Sequence, residues 1–87
     1  MPRALSMQRT VVTPGDRAKF LERVKGREAH YVASGCKYWV FEEAALAGAF
    51  MEFTEAPDAE LLKRAHASAP EPPLDPARVY LQVELAG

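Results

Sequence analysis

Residues 35–55 read GCKYWVFEEAALAGAFMEFTE, and the fold turns on this stretch. Lys37 to Glu42 and Gly48 to Glu55 are aromatic-rich runs separated by a short AALA segment. Ring-rich runs with a loop longer than the two-residue minimum predict a β-hairpin. Its unusual feature is that rings and carboxylates alternate without leaving one face plainly polar.

Upstream, residues 7–13 (MQRTVVT) mix β-branched and polar side chains and then meet Pro14-Gly15, which predicts a first strand and its stop. Thr13 is placed to cap a following helix, with Pro14 at its first position and Asp16 in its first turn. In that helix Phe20, Leu21, Val24, Tyr31 and Val32 follow the 3.6-residue period, interrupted by Glu28, while Lys19, Glu22, Arg23 and Arg27 are expected on the wet side. Gly26 costs the helix roughly 1 kcal/mol relative to alanine, so a bend or a close backbone neighbour is expected there. Gly35 sits where a left-handed C-terminal cap belongs.

Downstream, Pro57 opens a second helix, with Asp58 and Glu60 early, Lys63, Arg64 and His66 late, and Leu61, Leu62, Ala65 and Ala69 as a narrow apolar stripe. Residues 68–76 (SAPEPPLDP) contain four prolines. They predict an extended connection or an arm reaching over a neighbour. Residues 79–85 (VYLQVEL) alternate as a half-buried last strand. The order β-α-β-β-α-β over a single domain, residues 1–87, predicts the α+β ferredoxin-like arrangement: a four-stranded antiparallel sheet with both helices on one face and the other face open.

A chain of 87 residues buries only about 60 to 65% of its unfolded surface and has a marginal core of its own. Cys36 is the single cysteine, so no intrachain disulfide forms, and His30 and His66 lack the companions of a zinc site. No metal and no cofactor is expected, and self-association remains as the source of extra stability. The N-terminal residues MPRALSMQRT carry no apolar stretch of signal-peptide length, and no run is long enough to span a bilayer. Cytoplasmic placement is therefore expected. Eleven basic against twelve acidic residues give a net charge of -1, without the basic surplus that phosphate-backbone binding exploits.

Strand periodicity assigns the faces as follows. Val79, Leu81, Val83 and Leu85 are expected against the helices, leaving Tyr80, Gln82 and Glu84 on the open face. Met51 and Phe53 are expected inside, with Phe50, Glu52 and Thr54 open, and Gln8, Thr10 and Val12 as open-face companions from the first strand. For residues 36–43 the period does not decide between Tyr38 with Val40 and Trp39 with Phe41. A strand apolar on both faces is normally covered on both, and an identical sheet from a second copy is the simplest cover.

In element order and length, with its long first helix, KYWVFEE followed by GAFMEFTE, and DAELLKRAH ending in a histidine, the chain resembles the dimeric α+β barrel superfamily, which includes the antibiotic-biosynthesis monooxygenase-like domains. The resemblance implies a homodimer through the open sheet face and a pocket for a small aromatic or acyl ligand. It implies either a cofactor-independent monooxygenase or a non-catalytic ligand-binding or regulatory dimer. The asparagine used by the haem-degrading branch has no counterpart, because the chain contains no asparagine, and that chemistry is not carried over. The same element order belongs to the RNA-recognition motif. Residues 46–53 (LAGAFMEF) match its third-strand signature at Ala49, Phe50 and Phe53, but lack the basic residue and the first stacking ring, and RTVVT supplies no ring on the first strand.

The candidate catalytic residues are Glu52 and His66, either of which can act as acid or base if enclosed. The candidate ligand-binding set is Trp39, Phe50, Glu52, Tyr80, Gln82 and Glu84. Each has a structural alternative. Glu52 and Glu84 can pair with Arg9 or a partner's arginine, His66 and His30 can complement a helix C-terminus, the rings, Tyr31 and Tyr38 among them, can be core, and Cys36 can be an inert half-buried thiol.

Overall fold

The structure, a computed structural model, describes residues 2–85. Strands Ala4–Val11 (β1), Lys37–Glu42 (β2), Ala49–Ala56 (β3) and Tyr80–Leu81 (β4) alternate with helices Arg17–Ala33 (α1) and Ala59–Ala67 (α2) in the order β-α-β-β-α-β. The strands form one antiparallel sheet, ordered β2-β3-β1-β4. Helix α1 lies against β2 and α2 against β3 and β1, which is the ferredoxin-like arrangement. Among the described residues no helix is long and apolar enough to cross a membrane.

Local chemistry sets the helix ends. Gly35 has φ +88, and Cys36 N–H reaches the Tyr31 carbonyl (2.9 Å) while Gly35 N–H reaches that of Val32 (3.1 Å). This double closure is a Schellman cap. The start of α1 differs from expectation: Pro14–Asp16 form a separate 3-10 turn, and the Thr13 hydroxyl donates to the Asp16 carboxylate instead of capping a backbone N–H. In α2 the cap is Asp58, whose Oδ1 accepts the Leu61 N–H at 2.8 Å, so Pro57 lies just outside the helix. Helix α1 runs through Gly26 unbroken, and nothing lies within 4 Å of the position a Cβ would take there.

The strand faces depart from the sequence expectation. In β3 it is Phe50, Glu52, Thr54 and Ala56 that are buried under the helices, while Met51, Phe53 and Glu55 point to the open face. In β1 the inner residues are Ala4, Ser6, Gln8 and Thr10, paired in register with Ala56, Thr54, Glu52 and Phe50. Leu5, Met7, Arg9 and Val11 are outward. Strand β2, undecided by its period, turns Tyr38 and Val40 inward and leaves Trp39 and Phe41 40% and 58% exposed. Hydrophobicity misassigned β1 and β3 because the buried face is partly polar and the open face carries the rings.

Strand β4 keeps its expected orientation, with Tyr80 opposite Leu5 and Leu81 opposite Ala4, but it is much shorter than the alternating residues 79–85. It runs antiparallel to β1, which begins at Ala4. After the Gln82 N–H has reached the Arg3 carbonyl (2.8 Å) it runs past the end of that strand, and Val83 and Leu85 stand 74% and 89% exposed.

On α1 the inner row is Phe20, Val24, Arg27 and Tyr31. Arg27 is therefore inside, not on the wet side, whereas Glu28 and Val32 are exposed. One core cluster joins Ala4, Tyr31, Tyr38, Ala56, Leu62 and Ala65, and Phe20 meets Phe50 at a ring-centroid distance of 4.7 Å. Residues 68–76, expected as an extended connection, form an irregular one with bends at Pro70, Glu71 and Leu74. It folds back across the inner face, with Leu74 N–H donating to Gln8 Oε1 at 3.2 Å.

Gly48 sits at φ +90, and a Cβ there would come within 2.2 Å of the Val12 carbonyl oxygen. Gly48→Ala is expected to cost about 2 kcal/mol or more, combining left-handed strain with the clash. Gly26→Ala, with open space around it, should instead stabilise by about 0.5–1 kcal/mol. Urea midpoints of the two variants, measured side by side, check both signs.

Candidate functional site

Inner polar residues of the sheet, with the helices and the proline-rich connection, line a partly open cavity of about 100 Å³. Two groups of side chains wall it. The first is ionic. Arg27 Nη1 donates to both Glu52 oxygens at 2.7 and 2.9 Å, and Nη2 donates to Glu71 Oε2 at 2.8 Å. The Arg27 and Glu52 side chains are only 11% and 6% exposed. The Tyr38 hydroxyl donates to Glu52 Oε1, and Arg23 holds Glu71 from outside through Nε and Nη2. Arg27 Nε–H is buried without an acceptor among the described residues.

The second group is neutral. The Tyr31 hydroxyl lies 2.8 Å from His66 Nδ1, and Ser6 Oγ lies 3.0 Å from His66 Nε2. His66, 3% exposed, is a wall residue and not a helix-end decoration. The ring of Tyr31 stacks on Tyr38 at 5.6 Å, which joins the two groups into one wall. His30 does the structural work expected of a histidine here, donating from Nε2 to the Ala65 carbonyl at 2.8 Å and so tying α1 to α2.

Burial, with His30 adding to it, lowers the His66 pKa, so the ring is neutral at pH 7. Burial pushes Tyr31 up to about 12. Tyr38 is raised further still, by burial and then by its bond to Glu52. Both phenols stay protonated and offer hydrogen bonds without charge. Glu71 is held down to about 2 by Arg23 and Arg27. Burial also raises the Cys36 thiol, which keeps it unreactive. The wall thus combines a neutral base, two phenols, a serine hydroxyl and a paired guanidinium. Among the described residues no cluster of three or more metal-ligating side chains is present.

Of the expected site residues, Glu52 and His66 meet in this cavity. Phe50 is elsewhere, packed under α1 on Phe20. Trp39 and Tyr80 face the opposite side of the sheet. Gln82 sits at the sheet end, its Oε1 accepting from Arg3 Nε at 2.9 Å, and Glu84 is exposed beyond β4. The expected pairing of Glu52 with Arg9 does not occur, because Arg9 lies on the open face opposite Met51. Phe50 and Phe53, the rings of the half-matched RNA signature, lie on opposite faces.

The sequence offers Tyr31 and Tyr38 as rings of the core and gives no role to Ser6, Arg27 or Glu71 at this wall. The signal for Arg27 was present: positions 20, 24, 27 and 31 form a cleaner helical row than one through Glu28. Ser6 and Glu71 carried none, since their roles arise only from the strand register and the folded-back connection.

Beside the cavity, α2 and the proline-rich connection frame an apolar groove of about 570 Å³. His66 belongs to both walls.

Removing one partner from the buried pair leaves an uncompensated charge, so Arg27→Ala should cost about 3–5 kcal/mol. Arg23→Ala, at the exposed end of the network, should cost less than about 1 kcal/mol. Acid titration gives a second test. The folded pKa of His66 lies below its ordinary 6.5, so below pH 6.5 the unfolded chain binds more protons at this group and stability falls as pH drops. Glu71, lowered from 4.5 to about 2, adds a further loss between those values by the same sign. Urea midpoints against pH should fall in two segments, and His66→Gln should flatten the first. No family model, curated protein or solved structure matches the chain.

Proposed function

We propose that this protein is a homodimer of the dimeric α+β barrel type that binds a small organic molecule on the inner side of each sheet. The observation carrying the ligand reading is the polar cavity where neutral His66 and the Arg27–Glu52–Tyr38 cluster converge. A cavity of about 100 Å³ takes a polar head of a few heavy atoms. The apolar groove next to it, with a volume in the range typical of ligand pockets, suits an aromatic or acyl body.

The dimer reading rests on the open face. Trp39, Phe41, Phe53, Met51, Met7 and Val11 share it, and Phe41 packs edge-on against Phe53 at 5.6 Å. Contiguous apolar surface of this kind calls for a protein cover. Charges of both signs, Lys37, Glu55 and Arg9, stand among these rings, an arrangement that a two-fold copy can complement.

A second reading is catalytic. A neutral, desolvated imidazole can take a proton from an acidic phenol or enol, the first step open to a cofactor-independent monooxygenase acting on a small aromatic substrate. His66 is the group that favours it. Glu52, already engaged by Arg27 and Tyr38, serves in this reading to hold the wall in place.

Light scattering over a dilution series should give twice the mass of one chain. Phe41→Glu should return a folded monomer, since that side chain lies opposite the core. A wild-type monomer at all concentrations sinks the dimer. Titration with short aromatic and aliphatic carboxylic acids and amides, followed by amide NMR shifts, should move signals at Ser6, Tyr31, Thr54 and His66. Shifts confined to the open face, or none, would remove the inner-face ligand site.

A further inference from the structure

We propose that Ser6 is an acyl-accepting nucleophile, with His66 as its base and Tyr31 as the positioning residue for the imidazole, acting on esters or thioesters of short acyl groups. This deepens the ligand reading above and rests on it. Three elements deliver the three side chains, Ser6 from β1, His66 from α2 and Tyr31 from α1. Ser6 Oγ stands 3.0 Å from one imidazole nitrogen and the Tyr31 hydroxyl 2.8 Å from the other. A nucleophile within reach of a base that is itself oriented by a third group is the arrangement covalent catalysis requires.

Two features set this pair apart from a serine that only satisfies a buried histidine. First, Ser6 lines the cavity. Second, the same wall holds hydrogen-bond donors with no acceptor. Arg27 Nε–H is buried and unpaired among the described residues, and Gln8, whose carbonyl oxygen already takes the Leu74 N–H, has its amide hydrogens to spare. Donors without a protein acceptor suit an oxygen that gains charge during reaction.

The mechanism requires the tautomer in which His66 Nδ1–H donates to the Tyr31 hydroxyl oxygen, which leaves Nε2 as the lone-pair nitrogen facing Ser6. As Ser6 Oγ bonds to the acyl carbon, its proton passes to Nε2 and the carbonyl electron pair moves to oxygen. Collapse of this adduct reforms the C=O bond and breaks the bond to the alcohol or thiol, which departs with the proton from Nε2. Water then attacks acyl-Ser6 through the same relay, releasing the carboxylic acid and restoring the hydroxyl. The cavity limits the acyl part to a few heavy atoms. His66, which also walls the apolar groove, lies where a larger leaving group can take its proton.

The test is incubation with p-nitrophenyl acetate, followed by intact mass, peptide mapping and nitrophenolate release. The expected result is one acetyl group per chain, mapped to Ser6 and lost in Ser6→Ala. Release should slow about 10²-fold or more in His66→Gln. In ¹⁵N NMR His66 should carry its proton on Nδ1, and Tyr31→Phe should lose that preference, which a role in packing alone would not predict. The wild-type peptide map decides the matter even if a variant fails to fold. Acetylation only at lysines or the N-terminus, while propionamide still shifts the Ser6 and Thr54 amide signals, overturns the nucleophile and leaves the ligand site standing. Absence of both overturns the two together.

Discussion

The interaction on which the rest depends is the ion pair of Arg27 and Glu52 beneath α1. Taking both charges from water costs several kcal/mol each, and only close geometry with further hydrogen bonds repays it. The structure supplies both. Two Arg27–Glu52 bonds are joined by one from Tyr38 on β2 and one to Glu71 on the proline-rich connection. One guanidinium therefore links a helix, a central strand and the closing segment, with an edge strand joined through Glu52. Slipping β3 by one residue would put Glu52 on the open face and Phe53 against Arg27, so the pair opposes the register error that apolar packing alone would tolerate.

How much of this was legible follows from the range of the signals. Turn and cap chemistry is local, and Gly35, Asp58 and the proline-rich segment appear close to where the sequence puts them. Element order, and hence topology, follows from those punctuation marks. The faces of β1 and β3 were not legible. Strand periodicity assigns sides by polarity, and here the covered side carries Ser6, Gln8, Glu52 and Thr54 while the uncovered side carries Trp39, Phe41 and Phe53. Glu52 is tolerable inside only because Arg27, on a different element, comes to meet it. No local pattern contains that fact.

The proline-rich connection covers part of the site. Proline restricts the unfolded chain as well as the folded one, so holding residues 70–76 across the cavity costs less entropy than a flexible loop would. Its fastenings are Glu71 to two arginines and Leu74 to Gln8. Arg27 and Gln8 thus both line the cavity and hold the connection in place.

The alternation of the strands also shapes how such a protein can change over time. In β1, β2 and β3 every even-numbered residue serves the cavity side and every odd-numbered one the outer side. Point substitutions can therefore alter the two faces along separate lines, each nearly blind to the other. A single-residue deletion within β3 is different in kind, because it exchanges the two roles along the whole strand beyond it. Drift in length is expected to gather in the connection between Glu42 and Ala49, while the strands tolerate replacement but not loss.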